Sequence, residues 1–150
     1  MMASPKFAIR ELFVSRSHPE LVSRVGEIPW EHLVNVVRLI LIVLQPLRDR
    51  FGPGVVSSGY RSELLQRAVG VEGPSAHREG RAADIAFPRA SAAVVWQELR
   101  AGYLPIDFDR IAYYPAEGRF HVEVAPPGQE ARRLLFLATP TWTQVAIPVA

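Results

Sequence analysis

Four histidines and no cysteine set the chemistry open to this 150-residue chain. Without thiolates there can be no disulfide, cysteine-ligated zinc, iron–sulfur cluster or thiol nucleophile. A metal site must be built from His, Asp and Glu. His77 and Asp84 stand seven residues apart with Gly80 between them, flanking the start of a strand-like run, and His121 lies inside another. On neighbouring strands these three side chains would meet. Two imidazoles and one carboxylate suit zinc and leave a fourth position for water. A metal held there would lower the pKa of that water and polarise a carbonyl. The same three residues also fit a loop histidine, a turn cap and an ordinary strand histidine, so spacing alone leaves both readings open.

The elements that must position them can be read from hydrophobic pattern and chain breakers. Roughly Trp30 to Arg50 reads as a buried helix, with Pro29 just before it and Gly52-Pro53-Gly54 ending it. Pro46 is expected to kink its last turn. Asn35, Arg38 and Gln45 interrupt the apolar run, whereas a membrane span wants about 20 mostly apolar residues. Val55 to Ser58 reads as a strand, Glu63 to Val69 as a short helix and Gly70 to Gly80 as a loop. Ala82 to Phe87 is a strand stopped by Pro88, and Ala90 to Ala101 a helix ending at Gly102. Arg110 to Tyr114, Phe120 to Ala125 and Arg133 to Ala138 are strand-like runs separated by Pro and Gly turns, and Thr141 to Val149 is an edge strand or an unpaired end. Helices come first and strands dominate the end, which predicts an α+β domain: one antiparallel sheet with helices on one face. One domain covers residues 1–150, with 1–12 and 140–150 expected to be peripheral.

The local motifs are more specific. Ser57-Ser58-Gly59-Tyr60-Arg61-Ser62 is followed by Ser75-Ala76-His77-Arg78-Glu79-Gly80-Arg81-Ala82-Ala83-Asp84-Ile85, and later by Phe120-His121-Val122-Glu123. This order resembles the zinc D-Ala-D-Ala peptidases of the M15 class, which share a fold with the hedgehog signalling domain. Their signature is an SGYRS segment, then S-x-H-x-x-G-x-A-x-D, then a hydrophobic-x-H-hydrophobic strand. Leu44 to Gly52 also looks like the helix preceding SGYRS in phage and prophage members, and the likeness extends roughly from Phe13 to Val124. The resemblance implies Zn2+ as cofactor, with His77, Asp84 and His121 as ligands. Gly80 would let the chain turn tightly between two of them. Arg61 matches an arginine that faces substrate, where a guanidinium can hold a terminal carboxylate or a developing oxyanion; its alternative is a salt bridge closing the loop. Ser75 matches a serine that either orients the loop or touches substrate. Tyr60 is read as packing, and His18 and His32 as surface or helix-packing residues.

The chain departs from that pattern at the carboxylate that must take a proton from the attacking water and pass it to the leaving amine. Well-known members place it three residues before the last histidine, where Gly118 stands here, and many phage-type relatives carry Glu near Tyr113 or Tyr114. Glu117, four before His121, is the candidate base if its turn folds over the metal; otherwise it is a solvated turn residue. Glu123 shares a face with His121 two residues on, and is expected to hold that ring through its second nitrogen. Asp109, before a strand, is read as structural. Milder departures are Gln66, where Asn is usual, and Val71, in place of a glycine.

The resemblance thus implies a zinc-dependent peptidase cutting peptidoglycan stem peptides or cross-links. The alternative is a non-hydrolytic zinc-binding member of the same fold, serving as a virion part or wall-binding module. No secretory signal is seen, since Lys6, Arg10 and Glu11 break the first 15 residues. A phage or prophage protein, cytoplasmic until release or virion-associated, is expected, acting as a monomer at the cell wall. Seventeen Lys and Arg against 15 Asp and Glu leave only +2, and no basic run or recognition motif is present, so no nucleic-acid partner is expected.

Overall fold

One long helical rod, Trp30–Phe51, carries the centre of the hydrophobic core. By length and composition it could cross a bilayer, but Val36, Leu39, Ile40, Val43, Leu44 and Leu47 are buried against the rest of the domain. In this computed structural model, which describes residues 2–70 and 75–147, the rod has three parts. Helix α1 (Trp30–Leu39) passes into a π-helical stretch (Ile40–Leu44) and then into α2 (Gln45–Phe51). Pro46 has no N–H and its ring crowds the preceding turn. The rod widens there instead of breaking: Gln45 N–H reaches back to the Ile40 carbonyl. Gly52, at φ +89°, ends it.

The other elements follow the pattern expected. They are β1 (Val55–Ser58), α3 (Glu63–Ala68), β2 (Ala82–Ala86), α4 (Ala92–Ala101), β3 (Arg110–Tyr114), β4 (Arg119–Glu123), β5 (Leu134–Ala138) and β6 (Trp142–Val145). The strands form one six-stranded sheet in the order β1-β2-β4-β3-β5-β6. Side chains alternate across it. Ile85, Ile111, Phe120, Val122 and Leu135 turn to the helices and are buried, packed with Leu39, Val43, Val95 and Leu99. The opposite face carries the polar positions of the same strands. Asp84 is register partner to His121, and His121 to Ala112, so β2, β4 and β3 bring Asp84 and His121 side by side on that face. The fold class is α+β.

Two expectations are corrected. The sheet is not wholly antiparallel, because β5 runs parallel to β3. The chain leaving β4 passes over to the far side of β3, and Asp109 pins the crossing. Its carboxylate, 1 % exposed with the whole residue, accepts from the Arg132 backbone N–H at 3.1 Å, from Nε at 3.0 Å and from Nη2 at 2.7 Å. Beside it, Leu134 N–H bonds the Asp109 carbonyl at 2.9 Å and sets the parallel register. The N-terminal segment is not peripheral either: Phe7, Ile9 and Leu12 are core residues, while Trp142–Val145 forms β6 at the sheet edge, one of the two placements expected for that end. Apolar side chains in a short N-terminal segment have nowhere better to go than a core that still needs closing.

Asp109 yields a stability prediction. Burial alone would raise its carboxyl, but the Arg132 hydrogen bonds outweigh that and hold it below the usual carboxylate range. A folded pKa below the unfolded one gives stability that is full above the unfolded value, about 4, and lost as pH falls through the folded value. Asp109→Ala is expected to lower unfolding free energy by roughly 2–3 kcal/mol at neutral pH, since it removes the charge-assisted hydrogen bonds that pin the crossing. In urea titrations the gap from wild type should shrink as the pH falls below about 4.

Candidate metal centre

The site begins at Gly59. Residues Leu12 to Arg16 run against the end of β1: Tyr60 N–H bonds the Leu12 carbonyl at 2.7 Å, and Ser15 bridges to Ser58. A Cβ on Gly59 would sit 2.0 Å from the Leu12 carbonyl oxygen, so only glycine allows this approach. The approach fixes the Gly59 carbonyl, which accepts from His77 Nδ1 at 2.8 Å. A carbonyl can only accept, so Nδ1 carries the proton and Nε2 is the free lone pair. Nε2 points to Asp84, 3.6 Å from Oδ1. Arg61 N–H on the His77 carbonyl, at 3.0 Å, ties the same two loops together. Gly80 then turns the chain into β2 at φ +80°, and a Cβ there would meet the His32 carbonyl at 2.5 Å.

His121 comes from the middle of β4. Its Nδ1 lies 3.1 Å from Asp84 Oδ1 and its Nε2 2.7 Å from Glu123 Oε2. Arg119, His121 and Glu123 alternate onto one face, as the strand period requires. One ligand atom each from His77, Asp84 and His121 lie within 4.8 Å of one another, and the two imidazole rings meet edge to face at 5.1 Å. This donor set fits a divalent metal. His77 offers Nε2, Asp84 offers a carboxylate oxygen, and His121, with Nε2–H given to Glu123, offers Nδ1.

The electrostatics agree with that fit. Burial would raise the Asp84 carboxyl, but hydrogen bonds and charge from His121 and His77 override it and hold Asp84 well below the usual range. Burial lowers His77, with Asp84 opposing, so it stays a neutral imidazole, the form that ligates. Burial would also lower His121, but Asp84 and Glu123 together raise it. A proton held between two carboxylates is one that a cation can replace. Burial would raise Glu123, and His121, Arg110 and Arg81 bring it down, so it remains a carboxylate beneath the ring. Glu123→Gln keeps the shape but weakens the acceptor. It is expected to lower metal affinity by roughly 10–100-fold in competition titrations with a chelating dye, with little change in melting temperature.

The remaining sequence candidates take these places. Arg61 approaches Asp84 Oδ2 at 3.9 Å and donates to Ser58 Oγ at 3.2 Å. Ser75 lines the same cavity as the histidines, of about 620 Å³, but its hydroxyl donates to Gln66 Oε1 at 2.6 Å and accepts from Arg78 N–H at 3.2 Å. Gln66 is buried to receive it; Val71 lies outside the described residues. Glu117 sits on the β3–β4 turn with its side chain 56 % exposed and its carboxylate bonded to Arg119 Nε. It lines a second cavity, of about 470 Å³, with Asp84, Arg61 and Arg119 rather than the one holding the histidines. Tyr113 packs inward on Trp96 and Phe120, while Tyr114 stays on the site face beneath the Arg119 guanidinium. Tyr60 is buried and its hydroxyl joins His32 and Arg78; His18 pairs with Glu20 at the surface.

Two site residues escaped the reading of the sequence. Trp142, from β6, lays its ring 5.1 Å from His121 and donates Nε1–H to Tyr114 at 2.9 Å. Arg119 puts Nη1 3.6 Å from Asp84 Oδ1. The face alternation of β4 that placed Glu123 beside His121 also places Arg119 there, so that signal was present. Trp142 needed the β5–β6 pairing, which local pattern does not specify.

Comparison with known proteins bears on these same residues. No match is found among the curated proteins. A sequence model of the family described as peptidase M15 matches residues 15–123, from the strand-edge segment beside Ser58 through the glutamate beneath His121. That stretch contains His77, Asp84 and His121 together with Gly59 and Gly80, and the chain belongs to the peptidase M15 family.

Proposed function

We propose that the chain is a zinc-dependent metallopeptidase that hydrolyses peptide bonds in the stem peptides or cross-links of bacterial peptidoglycan. The observation that carries this reading is the His77–Asp84–His121 cluster, lining one cavity on the polar face of the sheet with Asp84 bordering a second, in a chain of a metallopeptidase family. His77, Asp84 and His121 would hold the metal. Zinc, when bound, supplies a Lewis acid and a water of lowered pKa. The protein's own groups supply the rest. Glu123 fixes the His121 ring. Arg61 holds a substrate carboxylate or the oxyanion that develops on the scissile carbonyl. Glu117 accepts a proton from the attacking water and passes it to the departing amine. Ser75 holds the His77 loop through Gln66 and Arg78 N–H, and borders the peptide.

A second reading has one observation in its favour. Glu117 is more than half exposed and bonded to Arg119, and the nearby positions where relatives carry a carboxylate hold Tyr113 and Tyr114. On that reading the domain binds zinc and wall peptide without cutting, as a structural or wall-binding module. Purified peptidoglycan incubated with zinc-loaded protein separates the two. Fragments with one newly opened peptide bond, identified by mass, support the peptidase. Protein that sediments with the wall and releases no such fragment supports the binding module.

A further inference from the structure

Tyr114 brings a phenol into the metal cavity, and the proton of that phenol is unclaimed. Successive residues of β3 face opposite ways. Tyr113 packs inward, so Tyr114 faces the site, across from Arg119 of β4 and two residues along from the Ala112–His121 pair. It lines the cavity that holds His77, Asp84 and His121. Trp142 donates Nε1–H to the Tyr114 oxygen at 2.9 Å. An indole nitrogen only donates, so this bond occupies an oxygen lone pair and leaves the phenolic hydrogen free. Among the described residues no acceptor takes that hydrogen. The ring itself is held firmly. The Arg119 guanidinium carbon lies 3.7 Å over it, Trp142 meets it edge-on at 6.4 Å, and Trp142 is braced in turn 5.1 Å from His121 and 5.5 Å from Phe136.

A donor ordered before substrate arrives has already met the entropic cost of its placement. A peptide bond cut at this centre must bring its carbonyl into the same cavity. Negative charge grows on that carbonyl oxygen as water adds, and a fixed O–H pointed at it binds the transition state better than the ground state. We propose that Tyr114 is a further catalytic residue, whose O–H donates to the oxyanion developing on the scissile carbonyl, and that Trp142 is the positioning residue that holds it there. The inference rests on the peptidase reading for the identity of the reaction. Trp142 lies on β6, beyond residues 15–123 that the family model matches, so the tether on Tyr114 comes from outside the matched segment.

Two matched sets of uncleavable stem-peptide and cross-link analogues serve as probes. In one set a phosphinate replaces each peptide bond in turn and places anionic oxygens where the oxyanion would develop. In the other a neutral ketomethylene group replaces the same bonds. Affinities for zinc-loaded protein are measured by calorimetry, with kcat and KM on the natural peptides alongside. Wild type is expected to bind one phosphinate roughly a hundredfold or more tighter than its ketomethylene partner. Tyr114→Phe removes only the hydroxyl and keeps the ring beneath Arg119. It should cut phosphinate affinity by roughly tenfold or more, change ketomethylene affinity by about twofold or less, and leave one zinc per chain. Its kcat should fall by roughly 10²–10³-fold with KM little changed. Trp142→Phe should shift the same phosphinate preference and kcat in the same direction by a smaller factor, and it carries the comparison should Tyr114→Phe unfold.

An unchanged phosphinate preference in a folded variant overturns the proposal. So does an equal loss on phosphinate and ketomethylene probes, which would mean that Tyr114 only shapes the cavity. Absence of any phosphinate preference in wild type overturns it as well. If no natural peptide is cut but a Tyr114-dependent phosphinate preference is found, the phenolic donor stands and the peptidase reading falls.

Discussion

Asp84→Asn is expected to abolish stoichiometric metal binding and, with it, hydrolysis. Asp84 is the one anionic member of the cluster, and the two histidines reach each other's neighbourhood through it: Oδ1 lies 3.6 Å from His77 Nε2 and 3.1 Å from His121 Nδ1. An amide of the same shape keeps the volume and removes the charge. Outer partners of metal ligands typically change affinity 10–100-fold, so loss of a charged ligand should cost roughly a hundredfold or more. The same substitution strips the counter-charge from Arg61 and Arg119. Removing one partner from a buried ion cluster costs about 3–5 kcal/mol, an upper figure here because Arg119 retains Glu117 and some solvent. Metal content after dialysis and urea unfolding of the metal-free protein measure the two effects separately. His77→Ala should reproduce the first without most of the second, because Asp84 would keep its arginines.

Glu117→Gln is expected to lower kcat by roughly 10²–10⁴-fold, the range for loss of a positioned proton carrier. KM and metal stoichiometry should change little, since Glu117 does not itself line the cavity that holds the histidines and is not one of the three ligands. Glutamine can still accept from Arg119 Nε, so the turn keeps its shape. The split between kcat and metal content matters: a structural role for the Glu117–Arg119 pair would move stability, not turnover. Unchanged turnover in the variant would remove Glu117 from the mechanism.

The difference between these two predictions follows how each residue could be read. His77, Asp84 and His121 were legible because their constraints are local. The histidine–glycine–aspartate spacing dictates a tight turn into a strand, and the period-2 pattern of β4 decides which way His121 faces. Glu123 was legible for the same reason, and its bond to His121 Nε2 is the arrangement the spacing implied. Glu117 was not, because a turn residue takes its orientation from contacts that no local period encodes; here its partner is Arg119. The parallel β3–β5 pairing was equally hidden. It depends on Asp109 gripping Arg132 across 23 positions of sequence, and neither residue advertises the other. The burial of Phe7, Ile9 and Leu12 shows a third kind of gap. Their apolar character was visible, but whether a chain end docks depends on how much core the rest of the domain leaves open. Pro46 is the reverse case. Its disturbance of the helix was legible, and the structure shows it as a π-helical stretch over Ile40–Leu44.

Every role proposed here depends on His77, Asp84 and His121 together holding a single divalent metal. X-ray absorption at the zinc edge of stoichiometrically loaded protein tests it directly. The predicted spectrum shows one zinc per chain with two imidazole nitrogens at about 2.0–2.1 Å and oxygen ligands completing the shell. Asp84→Asn should lose the stoichiometric zinc, and His121→Ala should lose one imidazole contribution. A zinc shell with no imidazole, or full retention of both imidazoles after His121→Ala, would contradict the site.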